Sequence, residues 1–138
     1  MHFEMATVSA VFGDIPVVSK SLDLARDVTP ATGWMNGLPS YTMWWIKIQR
    51  DWYFQHGNFL YLQAQADYLF AVLENLLSRV NLDETNNIEQ KFVEWSSADT
   101  EPAAAGLQAM MILSLEASFV RFYKTRRWRR NAYIVRRF

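Results

Sequence analysis

The chain has 138 residues, of which 51% are hydrophobic and 15% aromatic, with a formal net charge of zero. That length suits one domain with a real core. The absence of cysteine excludes disulfide staples, zinc knuckles, iron–sulfur ligation and thiol catalysis, and it argues against a disulfide-dense secreted scaffold.

The neutrality conceals an asymmetry. Eight bases (Arg121, Lys124, Arg126, Arg127, Arg129, Arg130, Arg136 and Arg137) lie beyond residue 120, where no acid occurs. The rest of the chain keeps six bases against fourteen acids, a net of −8. A dipolar layout of this kind predicts an anionic partner for the tail.

Residues 1–39 hold three of the four prolines, Pro16, Pro30 and Pro39, and show little sustained periodicity. Proline fixes φ, lacks a donor and biases its predecessor away from helix. An extended arm is therefore expected there, with a helical turn or two over Ser21–Val28. The apolar runs Ala10-Val11-Phe12 and Ile15-Pro16-Val17-Val18 suit the grooves of a neighbour. The first base is Lys20, and Glu4 and Asp14 interrupt the apolar residues. Neither a secretory signal nor an Arg-rich transit peptide is expected from that start.

From Ser40 to Val80 the sequence carries an apolar stripe at helical spacing. Tyr41, Trp44, Ile48, Trp52, Phe59, Leu62, Ala66, Leu69, Phe70, Leu73, Leu76, Leu77 and Val80 gather on one side. A single helix of this length would run about 60 Å, so one helix or two meeting near His56-Gly57-Asn58 are the alternatives. The half after Phe59 has the cleaner stripe. The half before it places Tyr41, Trp44, Trp45, Trp52, Tyr53 and Phe54 on several sides, among Lys47, Arg50 and Asp51. Trp and Tyr join a large apolar face to a polar tip, which suits interfaces, so these six are the predicted partner-binding residues.

Asp83, Glu84, Glu89, Glu94, Asp99 and Glu101 then follow, with Lys91 the one base among them. Ile88, Phe92 and Trp95 recur at helical spacing, which predicts a short acidic helix. Asp99 or Thr100 caps the next helix, with Pro102 in its first turn, where a missing N–H costs little. That helix is expected over about 101–130. Its apolar part before Arg121 is shorter than the ~20 residues of a bilayer span and contains Gln108 and Glu116. A helix buried against the 59–80 stripe is the expectation. The tail 121–138 interleaves its eight bases with Tyr123, Trp128 and Tyr133. Arginine's planar fork matches phosphate and carboxylate, and its stem covers apolar surface.

No catalytic, metal or cofactor constellation emerges. The two histidines, His2 and His56, are far apart and neither sits in a ligand-spaced motif. There is no Gly-rich phosphate loop, and Glu-x-x-His pairs for a di-metal bundle are absent. The sequence thus predicts an all-α chain. A long helix over about 40–80 pairs as a hairpin with a C-terminal helix, and residues 1–39 form an arm beside the 40–138 helical domain. The expected function is a non-catalytic accessory subunit of a larger assembly. Its partners would be other protein subunits and, at the tail, anionic lipid headgroups. An intracellular membrane complex, such as one of the mitochondrial inner membrane, suits that layout. The alternative is an RNA-binding accessory protein, such as a ribosomal subunit, that uses the basic and aromatic C-terminus.

The stripe itself generates a test. Leu73→Asp places a charge on the predicted core face and Glu74→Lys changes the polar flank. The first should lower the melting temperature far more than the second in a thermal melt.

Overall fold

A computed structural model describes residues 2–93 and 101–122 of the chain. It is all-helical among those residues, with α1 His2–Phe12, α2 Pro16–Asp27, α3 Pro39–His56, α4 Phe59–Leu77 and α5 Glu101–Phe122. The expected arm is therefore mostly helix. Pro16 does not break the chain; it opens α2 in the first turn, where its fixed φ fits and its missing N–H is no loss. Val18 and Leu22 then bury one face of α2 in the core.

The long apolar stretch divides where the sequence places the division. Gly57 takes a left-handed φ of 66° and its N–H bonds the Tyr53 carbonyl, which closes α3. Asn58 opens α4, its side chain accepting the Tyr61 N–H at 2.9 Å. At the start of α3 no side chain caps the helix. Leu38 is the flanking residue, Pro39 leads the helix, and Ser40 lies inside it, fully buried with its hydroxyl unpartnered among the described residues. The Met35 N–H bonds the Thr42 hydroxyl at 2.9 Å, which ties the preceding 3-10 turn, Met35–Gly37, onto α3.

α3 is the central element. It buries Met43, Trp45, Ile46, Ile48, Gln49 and Trp52, which spread around its circumference as expected for an enclosed helix. Its closest partner is α5. The pairing expected from sequence sets α5 against the 59–80 stripe, whereas α5 lies mainly along the preceding helix. Ala103, Leu107, Met110, Met111, Ser114, Leu115, Ala117 and Ser118 form the buried side of α5. Small residues at 103, 114, 117 and 118 permit the close approach that the large side chains of α3 require. The Ser114 hydroxyl sits 3.0 Å from the Met43 carbonyl, and Ala117 and Ser118 lie beside Gln49 and Tyr53, so the two helices run parallel. α4 contributes Leu62, Leu69, Val72, Leu73 and Leu76 to the buried interior, while Glu74 is exposed as the stripe requires.

The short acidic helix does not form over 81–93, which is turns and extended chain, and Trp95 lies outside the described residues. Ile88 and Phe92 are nevertheless buried. The backbone just before Ile88 is held by other partners. Asn87 N–H bonds the Arg79 carbonyl at 2.9 Å, and Gln108 of α5 accepts the Asn86 N–H at 3.0 Å and donates to the Glu84 carbonyl at 2.9 Å. So short a helix bears the cost of nucleation without enough bonds to recover it, and the loop's bonds to its neighbours prevail. Val93 then packs where Gly106 has no side chain; a Cβ there would meet Val93 Cγ2 at 3.0 Å.

The corner between α3 and α4 carries a direct test. Asn58→Ala removes the side-chain acceptor for the Tyr61 N–H and should cost about 1 kcal/mol in chemical denaturation. An unchanged denaturation midpoint would refute the capping role.

Candidate functional site

The predicted aromatic surface turns inward. Trp45 is 0% exposed and Trp52 is also buried on α3, while Tyr41, Trp44 and Tyr53 are half-buried and only Phe54 is broadly exposed. The Trp45 indole N–H donates to the Leu22 carbonyl at 3.1 Å, and its ring meets Tyr68 edge-on at 5.4 Å. Tyr68 in turn donates to the Thr29 carbonyl at 2.8 Å. Tyr41 packs edge-on to Phe92 at 6.4 Å. Trp45 and Trp52 thus pack within the chain's own helices and leave no face for an outside partner. Of the cationic set, Arg121 lies in the last turn of α5, its side chain outside the described residues, as are Lys124, Arg126, Arg127, Arg129, Arg130, Arg136 and Arg137.

Sequence reasoning misses a polar cluster between α2 and α4. Gln65 is buried, and its amide oxygen accepts from Arg26 at 2.8 Å while its amide nitrogen donates to Asp23 at 2.7 Å. Arg26 also pairs with Asp27 at 2.7 Å, and that hydrogen bond, opposed by burial, holds its pKa above the ordinary value. Tyr61 donates to the Ser19 carbonyl at 3.4 Å; burial first and the Asp23 carboxylate second push its pKa well above the ordinary tyrosine value. The partners lie 39 to 42 residues apart in sequence, so no local motif announces them. The one local sign is a glutamine at a buried position of α4. Both polar atoms of Gln65 are engaged, and Gln65 lines none of the cavities that border Gln49, Trp52 and Trp34, so the cluster serves as a clamp that fixes α2 across the bundle.

Gln49 presents the opposite case. It is 1% exposed on α3, and neither amide atom has a hydrogen-bond partner among the described residues. The Tyr61 hydroxyl is near enough to feel that amide, but its bond goes to Ser19. Gln49 borders a cavity of about 20 Å³ with Arg50, Tyr53, Leu62, Leu69 and Ser118, which is room for about one water. Two larger depressions lie at the surface. One of about 360 Å³ separates α1 from α3, with Met5, Ser9, Arg50, Asp51 and Trp52 among its walls. There Asp51 is engaged by Lys47 at 2.7 Å. The other, about 510 Å³, runs from Leu24 and Ala25 of α2 past Val28 and Pro30 to Trp34 and Tyr41. The Arg79 guanidinium covers the Trp34 ring at 5.8 Å.

Neither surface depression brings a nucleophile to a histidine base. His56 instead packs at a tilt against Trp52, with ring centroids 4.0 Å apart, in the last turn of α3. Among the described residues no three His, Asp or Glu side chains are grouped to hold a metal ion, and no helix is long and apolar enough to cross a membrane. No protein-family model matches the chain, and neither a curated protein nor a solved structure is significantly similar to it.

The two glutamines make a paired test. Gln65→Leu strips partners from Arg26 and Asp23 and should destabilise by about 1–3 kcal/mol. Gln49→Leu replaces an unpartnered buried amide with an apolar side chain of similar size and should raise the melting temperature. Calorimetry of the two variants checks the opposite signs; equal destabilisation would refute the distinction.

Proposed function

We propose that this chain is a non-catalytic accessory subunit that holds neighbouring protein subunits in a larger, membrane-associated assembly within the cell. The supporting observation is the outer side of α2. Leu24 there and Val28 just past the end of the helix are both exposed, and they border the groove lined by Pro30, Trp34 and Tyr41. Large apolar side chains beside a concavity with aromatic walls are what a protein partner's side chain fills. The polar clamp makes that surface rigid, because Gln65, Tyr61 and Trp45 fasten α2 along its length. A preorganised face loses less entropy on binding than a loose arm would. The mitochondrial inner membrane is the first setting to examine, as the basic C-terminus suits an anionic leaflet.

The tail also supports a second reading as an RNA-binding accessory protein. Its eight bases, with Tyr123, Trp128 and Tyr133 among them, can neutralise phosphates and stack bases. The net of −8 on the remaining chain weighs against it, because that charge repels a polyanion.

Affinity purification of the intact chain from its native cell separates the two. The accessory-subunit reading expects a reproducible set of protein subunits that is lost with Leu24→Asp combined with Val28→Asp. Nucleic acid retained at low salt and lost on removing residues 121–138, with no protein subunits, would replace it with the RNA reading. A chain that purifies alone as a folded monomer refutes the first.

A further inference from the structure

Five helix termini meet at one end of the molecule. Gly57 and Asn58 join the C-terminus of α3 to the N-terminus of α4. The Tyr61 to Ser19 hydrogen bond puts the first turn of α2 beside the first turn of α4, and residues 13–15 link it to the end of α1. Ala117 and Ser118 of α5 share a cavity with Gln49, Tyr53 and Leu62, so α5 ends there too, about one turn further on at Phe122.

Among the described residues, this end collects six exposed apolar side chains, the three exposed phenylalanines among them. Val11 and Phe12 close α1, Val17 opens α2, Phe54 sits in the last turns of α3, and Phe59 and Leu60 open α4; all are exposed, Phe12 at 66% and Leu60 at 78%. Asp14 is the exposed acid in the α1–α2 link, and the Arg50 guanidinium lies 5.3 Å over the Phe54 ring. The opposite end exposes Leu82 too, but beside acids. α4 carries the chain about 28 Å away over its 19 residues. There Glu74 precedes the loop that holds exposed Asp83, Glu84 and Glu89.

Sequence and geometry converge at the apolar end. The chain continues from Phe122 at that end into residues that carry seven bases and no acid, with Tyr123, Trp128 and Tyr133 among them. An exposed apolar end from which the chain runs on into seven bases, with a cluster of acids at the far end, matches one kind of partner. We propose that this end docks on the surface of an anionic bilayer, with the apolar side chains at the headgroup boundary and the basic tail on the lipid charges. Either signal alone gives weak attachment; shallow apolar insertion and a polybasic segment together give a stable one. The acidic far end points away from the negative surface, so the dipolar charge layout orients the molecule. The inference rests on the membrane-associated reading above and adds the surface by which that association is made.

Sedimentation of the intact chain with vesicles tests it. The chain is expected to bind phosphatidylcholine vesicles containing phosphatidylserine, to release in high salt, and to bind pure phosphatidylcholine far more weakly. Phe12→Asp with Leu60→Asp should weaken binding about tenfold or more. Gln at Arg126, Arg127, Arg129 and Arg130 should weaken it by about fivefold per base removed at low salt. Phe12→Ser with Leu60→Ser repeats the first test without new charge, and circular dichroism verifies that each variant is folded.

Equal binding by wild type and all variants, or no binding to the anionic vesicles, overturns the proposal. So does a dimer in sedimentation equilibrium that Leu60→Ser splits while vesicle binding persists, since a second copy would then cover this end. Loss of vesicle binding with co-purifying subunits retained refutes the bilayer contact alone. Vesicle binding in a chain that co-purifies with no subunit refutes the accessory-subunit reading alone.

Discussion

The rest of the fold depends on the enclosure of α3, and Trp45 is its pivot. Its indole reaches the Leu22 carbonyl of α2, while its ring lies edge-on to Tyr68 of α4, which bonds the Thr29 carbonyl beyond α2. One side chain thus joins three helices through an apolar face and a single donor. A buried indole N–H without an acceptor would cost a good part of what burial contributes, so the position of α2 is set by that bond as much as by packing. Once α2 is fixed, Gln65 and Tyr61 find their partners along it. α5 closes the remaining side of α3 with small residues at the contact.

Much of this is legible in the amino-acid sequence. The apolar period over 40–80, the interruption at Gly57-Asn58 and the start of α5 near Pro102 all follow from local rules, and the fold has all three. What local rules cannot supply is the choice of neighbour. Aromatics on several sides of 41–54 suit a surface awaiting another chain, but the same pattern describes a helix enclosed by its own chain. The distinction depends on whether residues 1–39 fold back, and Pro16 conceals that they do. Proline at the first turn of a helix and proline within an extended arm look alike in sequence; Val18 and Leu22, packed on the core, decide between them. Ile88 and Phe92 mislead in the other direction, since helical spacing there reports two buried side chains and no helix.

The candidate site is less legible than the fold. Asp23, Arg26 and Gln65 converge from distant positions, and the exposed end is assembled from single residues on four helices. Val11, Phe12, Phe54, Phe59 and Leu60 form no motif; only the arrangement of termini makes them neighbours in one region. The charge asymmetry is plain in the sequence, but its direction relative to the bundle is not. Its meaning depends on where α5 ends.

Where α5 ends is a matter of helix polarity. With α5 parallel to α3 and α4 antiparallel to both, the chain must leave α5 at the α3–α4 corner and not at the acidic loop. Had α5 packed antiparallel to α3, the basic tail would begin beside Asp83, Glu84 and Glu89, where the opposite charges would neutralise one another locally. The observed pairing keeps Asp83, Glu84 and Glu89 about the length of α4 from the tail origin, well beyond the Debye length at physiological salt, so that acidic loop does not screen it. Separation of that kind leaves the start of the basic stretch clear of the acidic loop. Small residues at 114, 117 and 118 let the parallel pairing form, and so they decide at which end the chain leaves α5.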